Sequence, residues 1–305
     1  MIKFYPSLII YLFIICLSIR IIIRRRNFLF TWIGFELSIF GFLPLFAIRT
    51  STTDAIIKYF LIQARGSVIY LISFLTIQLY MSYLVTLGIS IKLGIFPFFQ
   101  WIPIIISSLS WYGCILLTTI QKLGPLFTLL LLFRLDFLII FRLIGIFLRR
   151  ILGFNQSFIR PLIAYSSISH TSWIILTIPY NNNIFYIYLF TYILLTFFIF
   201  SFFKKNNTEK IRNNNLKKKT ITSQYFLLLI LTGIPPFSFF IFKIRIIYIY
   251  MYFPLIIVIL LLSIYIRTYY YLSFIIPNLI NKNIIKDKSL LILISINLIP
   301  FLFLI

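Results

Sequence analysis

Apolar residues in this chain form long runs, and short polar or basic segments separate one run from the next. A run of roughly 20 apolar residues crosses the ~30 Å hydrocarbon core of a bilayer when it folds as an α-helix. Eleven runs approach or reach this length, at residues 4–23, 27–48, 56–80, 82–102, 109–133, 137–152, 157–179, 183–203, 222–248, 252–276 and 289–305. The pattern predicts an all-α, polytopic transmembrane helical bundle. We expect a single integral membrane domain over residues 1–305, with a polar, basic loop at 204–221.

The composition indicates that lipid is the solvent. Hydrophobic residues make up 62% of the chain and charged residues 11%, whereas soluble domains average about 45–50% apolar residues. The net charge of +23 would suit a nucleic-acid surface, but the basic residues cluster between apolar runs, for example at 24–26, 149–150 and 204–219. Membrane proteins place their cations in this way. We therefore expect membrane lipids around the chain and no nucleic-acid partner.

The basic residues between the runs also predict the orientation of the chain. Eleven spans place the termini on opposite sides of the membrane, and the even-numbered connections carry most of the Lys and Arg residues. The positive-inside rule then puts the N-terminus on the cytoplasmic or matrix side. The arginine triplet at 24–26 is an exception to this pattern. The first run lacks a small-residue cleavage site, so we expect a span there rather than a signal peptide.

Two of the runs contain helix-breaking residues near mid-depth. These residues are Gly94 and Pro97 in the fourth run, and Gly233, Pro235 and Pro236 in the ninth. A lysine accompanies each predicted break, Lys92 in the first case (92–97) and Lys243 in the second (233–243). Membranes tolerate broken helices where the released backbone lines a cavity or is buried in protein. The pair is typical of inverted-repeat transporters, although either break taken singly could be an ordinary proline kink.

Four charged residues stand out by their depth: Glu36, Lys92 and Lys122 lie near the middle of their apolar runs, and Lys243 lies in the second half of the ninth run. An ionised side chain at that depth costs at least about 2.5–3.5 kcal/mol on insertion scales. Buried carboxylates and amines can exchange protons near neutral pH, and a neighbouring charge can change the protonation of either group. The four residues therefore predict a proton relay. Static buried salt bridges are the alternative, but one glutamate can directly neutralise just one lysine.

The remaining chemistry in the sequence is sparse. His170 lies mid-span beside Ser166 and Ser167, where an imidazole could relay protons or could equally be a hydrogen-bonded packing residue. Cys16 and Cys114 lie in apolar runs without metal-ligand spacing, so we expect both to be buried. The sequence lacks nucleotide-binding and metal-binding motifs, and no cofactor is expected in this chain.

Six strings occur in this order along the chain: WIGFEL (32–37), KYFLIQARGS (58–67), KLGIFPFFQW (92–101), TTIQKLGP (118–125), GFNQSFIRPLIAYSSISHTSW (153–173) and LTGIPPFSFFIFK (231–243). Together they resemble the subunit 2 family of NADH dehydrogenase. Its members are antiporter-like membrane-arm subunits of respiratory complex I and are related to Mrp-type cation/proton antiporters. The length and the number of spans resemble the shortened animal mitochondrial form. The resemblance implies an antiporter-like inverted-repeat fold in the mitochondrial inner membrane, with the N-terminus in the matrix and the C-terminus in the intermembrane space.

The resemblance also implies roles for individual residues. Glu36 matches the family's channel glutamate and Lys92 its partner on the first broken helix. Lys122 matches the central relay lysine and Lys243 the lysine on the second broken helix. Lys58 lies in one of the matching strings and is, with His170, Ser166 and Ser167, a possible relay or supporting residue. The chain departs from the family at Phe99 and Ile104, where histidine and glutamate are frequent.

The resemblance implies a subunit that pumps protons while other subunits carry electrons from NADH to ubiquinone. NADH, FMN, iron–sulfur clusters and ubiquinone are then expected in other subunits of the complex, and membrane subunits 4L and 4 are the expected neighbours. Two other functions remain open. One is a free-standing cation/proton antiporter, although a single mid-membrane carboxylate argues against a dedicated cation site. The other is a purely structural membrane subunit.

Overall fold

A computed structural model gives the structure of the chain. It describes residues 6–24, 27–47, 53–76, 78–131, 156, 158–179, 182–206, 227–233 and 237–280. The chain divides into two compact units, Met1–Arg142 and Leu143–Ile305. The expectation of a single membrane domain over residues 1–305 stays a prediction.

Eleven helices of eight residues or more lie within the described residues. The first unit contains α1 (Pro6–Ile23), α2 (Phe28–Ala47), α3 (Thr53–Leu75), α4 (Gln78–Leu93), α5 (Trp101–Ser108), α6 (Trp111–Thr118) and α7 (Ile120–Leu131). The second unit contains α8 (Ile159–Thr177), α9 (Asn182–Asn206), α10 (Ser238–Ile249) and α11 (Pro254–Ile280). Residues 227–232 form a further short helical stretch.

Helices α1 to α4 pack against one another in sequence order, and α7 contacts α1, α2 and α4. The α3–α4 contact is close because two glycines face each other: a Cβ on Gly88 would lie 2.8 Å from the carbonyl oxygen of Gly66. Small residues at helix contacts are typical of membrane bundles, because they let two backbones approach. In the second unit α8 packs against α9 and α10, which also contact each other.

The fourth predicted span is divided in the structure. Helix α4 ends at Leu93, Gly94 adopts a left-handed φ of 63°, and α5 begins at Trp101. We call residues 94–100 the first break. In the second unit, the helical stretch 227–232 ends at Gly233, whose φ is 64°. We call this interruption the second break; Pro235 and Pro236 lie outside the described residues.

The fifth predicted span, 109–133, is also not one regular helix. It is divided into α6 and α7 at Thr119, whose φ and ψ are −110° and −77°. The hydroxyl groups of Thr118 and Thr119 donate to the carbonyl oxygens of Cys114 and Ile115, at 2.8 and 2.6 Å. Such bonds from threonine back to the preceding turn bend helices.

Four stretches among the described residues are long and apolar enough to span a membrane, Phe28–Ala47, Thr53–Leu75, Trp111–Leu130 and Asn182–Lys205. The chain is therefore an all-helical, multi-pass membrane protein. The eleven observed helices are not the eleven predicted spans, because three predicted spans (82–102, 109–133 and 222–248) are divided and two others, 137–152 and 289–305, lie outside the described residues. Helix α9 continues to Asn206, so the first residues of the predicted loop 204–221 are helical, and 207–221 lie outside the described residues.

Large apolar side chains cover the outer surface of the helices, as in Phe13, which is 63% exposed, and Phe40, which is 60% exposed. A membrane protein presents such residues to lipid, which is as apolar as they are. Cys114 is buried as expected, but the prediction for Cys16 was wrong, because this residue is exposed. An apolar run does not show which side of its helix faces lipid.

Candidate functional site

Lys92 lies in the last turn of α4, immediately before the first break, and is 4% exposed. Its Nζ atom lies 4.6 Å from the centre of the Phe35 ring, within the range of a cation–π interaction. Its carbonyl oxygen accepts a hydrogen bond from Nε2 of Gln63 at 3.3 Å. Helix α3 therefore caps the end of α4, and α2 receives the charged end of the lysine.

Glu36 lies on α2, next to Phe35, and its side chain is partly exposed. It interacts electrostatically with Lys92. Among the described residues, neither Glu36 nor Lys92 has an ion pair within 4 Å. The two residues therefore influence each other through space while remaining separated in this structure.

A small polar cavity adjoins Lys92. Its volume is about 10 Å³, close to what one water molecule needs. Its polar lining consists of Ser18, Ser38, Gln63, Lys92 and Gln121. The remaining lining is mostly apolar. The cavity is therefore a small polar site within an apolar helix bundle.

Lys122 lies in the first turn of α7 and is 4% exposed. Its neighbour Gln121 donates a hydrogen bond from Nε2 to the hydroxyl of Tyr59 at 2.6 Å. The Oε1 atom of Gln121 is buried and has no hydrogen-bond partner in the described structure. Because an unpaired buried acceptor is unfavourable, the Gln121 side chain is suited to accept a hydrogen bond from a group or water that enters the cavity.

Lys243 lies on α10 and is 1% exposed. Its Nζ atom donates a hydrogen bond to the carbonyl oxygen of Thr232. A Cβ on Gly233 would lie 2.6 Å from that Nζ atom. The glycine therefore provides both the left-handed turn that ends the helical stretch and the space that the amine occupies.

His170 is fully buried on α8, and its side chain reaches the end of the helical stretch 227–232. Its Nε2 lies 3.2 Å from the carbonyl oxygen of Leu231, and its Nδ1 lies 3.1 Å from the hydroxyl of Tyr188. A carbonyl only accepts, so Nε2 carries the proton and, in the neutral ring, Nδ1 accepts from the tyrosine. His170 and Lys243 thus bind two consecutive carbonyl groups, those of residues 231 and 232, at the second break.

The other candidate residues have less specific surroundings. The hydroxyls of Ser166 and Ser167 donate to carbonyl oxygens of their own helix, those of Ile163 and Ala164, at 2.7 and 2.8 Å. Lys58 is exposed near the start of α3. The structure thus brings Glu36, Lys92 and Gln121 around one region of the first unit, and His170 with Lys243 in the second.

Four polar residues were not predicted from the sequence, Tyr59, Gln63, Arg65 and Gln121. Three of them, Tyr59, Gln63 and Gln121, contribute to the surroundings of Lys92 and Lys122. The signal was present, because Gln121 adjoins Lys122 and the other three lie in the string KYFLIQARGS. Among the residues that the structure describes, no group of three His, Cys, Asp or Glu side chains could hold a metal ion. The absence of a cofactor from this chain stays a prediction.

Comparison with known proteins identifies the class. A family model described as NADH:quinone oxidoreductase/Mrp antiporter, TM, matches residues 76–267. The chain folds like chains in respiratory complex I from Thermus thermophilus (TM-score 0.77, 20% identity, 87% of this chain and 69% of that one) and in the Mrp complex from Dietzia sp. DQ12-45-1b (TM-score 0.75, 14% identity, 88% and 59%). At these identities the likeness shows the fold.

Known relatives identify the family more specifically than the solved structures do. The chain is 33% identical to NADH-ubiquinone oxidoreductase chain 2 of Locusta migratoria over 183 residues, which are 56% of this chain and 54% of that protein. It is 30% identical to the same protein of Artemia franciscana over 275 residues, 90% of each chain. The chain thus spans about half the length of the first relative and nearly all of the second. It belongs to the NADH:quinone oxidoreductase/Mrp antiporter family.

Proposed function

We propose that this chain is a membrane-arm subunit of proton-translocating NADH:ubiquinone oxidoreductase, respiratory complex I, in the mitochondrial inner membrane. Its own role is to move protons through buried Glu and Lys residues while other subunits hold NADH, FMN, the iron–sulfur clusters and ubiquinone. The supporting observation is the burial of Lys92, Lys122 and Lys243, which are 4, 4 and 1% exposed inside an apolar helix bundle. Intramembrane ionisable residues are costly and generally functional.

The first unit supports a switch based on the charge of Glu36. Its carboxylate stabilises a protonated Lys92, and loss of that interaction favours release of the proton from a buried amine. The two groups interact without direct contact in this structure, so a modest movement of α2 or α4 changes the strength of their interaction. The adjoining cavity and the unpaired Oε1 of Gln121 provide a polar route towards α7, which carries Lys122.

The second unit supports a second protonation site at Lys243. The amine binds the carbonyl of Thr232 and the imidazole of His170 binds the carbonyl of Leu231. Both side chains can gain or lose a proton, and both hold the end of a broken helix. We assign Lys243 to proton transfer and His170 to its support. Membrane subunits 4L and 4 are the proposed neighbours.

Proton pumping coupled to NADH oxidation in sealed vesicles tests the proposal. The assembled complex is compared with its Lys122→Ala variant, and Lys205→Ala is the matched control because Lys205 is an exposed lysine at the end of α9. Assembly is measured in parallel. We expect oxidation and pumping to collapse in a fully assembled Lys122→Ala complex and to persist in the control. Unchanged oxidation and pumping in both variants would overturn the proposed role.

The fold of the Mrp complex favours a second candidate, a free-standing cation/proton antiporter. Of the acidic residues that the structure describes, Glu36 lies inside an apolar helix, whereas Asp54 lies in the first turn of α3. A dedicated cation site normally needs several oxygen ligands, which argues against this function. Cation/proton exchange by the isolated chain in liposomes would favour it over a complex I subunit.

A further inference from the structure

Arg65 is an exposed arginine at the centre of a membrane-spanning helix. Helix α3 has 23 residues, and Arg65 is the thirteenth. It therefore lies about 18 Å from the first residue of the helix, at 1.5 Å per residue, near the bilayer midplane. Among the described residues, Arg65 has no hydrogen-bond or ion-pair partner. A lipid-facing arginine at this depth is strongly unfavourable unless it is paired, so a counter-charge from elsewhere is expected to stabilise it.

The acidic residues that the structure describes offer Arg65 little compensation. The whole chain has five acidic residues, of which the structure describes Glu36 and Asp54. Asp54 lies on the same helix, eleven residues earlier, and is therefore about 16 Å away along the axis. Glu36 has no ion pair with Arg65.

Arg65 borders a groove on the surface of the first unit, between α3 and the first break. The groove has a volume of about 590 Å³. Its lining is mainly apolar and includes Leu61, Val68 and Phe98, each of which is at least 39% exposed. Gln100 is the other strongly polar side chain in the lining. The surface thus offers an apolar groove with one positive charge and one amide.

We propose that this groove binds a transmembrane helix of a partner membrane protein, and that this helix carries an Asp or Glu near mid-membrane that pairs with Arg65. The apolar lining suits the helix side chains, and Gln100 can bond a second polar group. A close carboxylate–guanidinium pair, with two parallel hydrogen bonds, compensates a desolvated arginine better than any neutral partner.

Depth argues against an anionic lipid as the occupant. Lipid headgroups lie about 15 Å from the midplane, half of the ~30 Å hydrocarbon thickness. This is farther than an arginine side chain extends, so a phosphate can reach Arg65 only if the bilayer thins locally. An acyl chain fills an apolar groove but supplies no charge. A carboxylate on a neighbouring helix meets both requirements at the same depth.

Photocrosslinking in the membrane-embedded complex tests this inference. Phe98 is replaced by p-benzoylphenylalanine, and the matched control is the same replacement at Phe40, an exposed phenylalanine on α2 that does not line the groove. After irradiation, mass spectrometry identifies the adducts. We expect the Phe98 position to link to a transmembrane segment of another protein that contains an Asp or Glu in its central third. Adducts with lipid alone, with this chain itself or with an acid-free segment, or no adduct, would overturn the proposal.

Variants of Arg65 test the charge directly. We expect Arg65→Leu to lower the Phe98 adduct at least tenfold and Arg65→Lys to lower it less than twofold, while the Phe40 adducts stay unchanged. An equal adduct yield in both variants would contradict the ion pair. If Arg65→Leu prevents assembly of the complex, a membrane-permeant carbodiimide applied to the Arg65→Lys complex decides, because it joins an amine to a contacting carboxylate. A link to the partner segment supports the proposal, and its absence refutes it. Neither readout depends on pumping, so this inference can fail independently of the proposed function.

Discussion

Gly233→Ala should disable the second break without changing any ionisable residue. Gly233 has a φ of 64°, a conformation that disfavours a Cβ by about 1–2 kcal/mol. The new Cβ would lie 2.6 Å from Nζ of Lys243 and 3.0 Å from Cβ of Phe239. The amine must then leave the carbonyl of Thr232, and a hydrogen bond to a charged group is worth about 1.5–3 kcal/mol. Together these effects disfavour the observed arrangement by roughly 2.5–5 kcal/mol.

At 1.4 kcal/mol per factor of ten, the population with Lys243 bound to the broken helix falls at least about 50-fold. We therefore expect a similar loss of NADH-driven proton pumping in sealed vesicles, measured per assembled complex. Gly113→Ala is the matched control, because Gly113 lies inside the regular helix α6. The atoms nearest to a new Cβ at this position are side-chain atoms of Leu109, at 3.1 Å or more. Equal pumping in the two glycine variants would refute the argument that the second break positions Lys243.

Three further substitutions test other contacts. Glu36→Gln keeps the size of the side chain but removes the charge that acts on Lys92, so coupled pumping should fall at least tenfold; full pumping would exclude the proposed switch. Tyr188→Phe removes the 3.1 Å hydrogen bond to His170, worth about 0.5–1.5 kcal/mol, and pumping should fall two- to tenfold, whereas an unchanged rate would make that bond dispensable. Gly88→Ala places a Cβ 2.8 Å from a backbone oxygen of α3, so the thermal stability of the assembled complex should drop; an unchanged unfolding temperature would show that the helices can separate without cost.

The sequence predicted the elements that depend on local pattern. Long apolar runs predict membrane helices because a bilayer requires every backbone group to be paired within its own segment. Gly94 and Gly233 were recognisable as breaking residues, and the structure has left-handed φ values at both. The division at Thr119 was not predicted, because threonines are common in apolar runs and their bonds to the preceding turn leave no periodic signal.

The surroundings of the charged residues depend on contacts between distant parts of the chain. Gln63 reaches the carbonyl of Lys92 across 29 positions, and Gln121 reaches Tyr59 across 62. Neither pairing is visible in a hydropathy pattern. Arg65 is different, since the insertion cost that identified the four candidate residues applies to it equally. It was not predicted from the sequence, and its run also carries Lys58 near one end.

The first break is held by side chains that do not titrate near neutral pH. The backbone N–H of Gly94 bonds to the carbonyl of Ile91 at 3.2 Å, and Nε1 of Trp101 donates to the same oxygen at 3.2 Å. The amide of Gln63 binds the next carbonyl, that of Lys92. Helices must pair their last carbonyl groups with something, and here an indole and an amide do so. The amine of Lys92 takes no part in this capping and lies over the ring of Phe35 instead.

The second break has the same backbone geometry but different partners. The N–H of Gly233 bonds three residues back, also at 3.2 Å, and two consecutive carbonyls are again bound by side chains from other helices. These side chains are those of His170 and Lys243, an imidazole and an amine, which are both ionisable groups. In the proposed function, a proton gained or lost at the first break changes an electrostatic interaction between α2 and α4. A proton gained or lost at the second break changes the hydrogen bonds that hold the end of a helix, so we propose the second break as the place where protonation is converted into backbone movement.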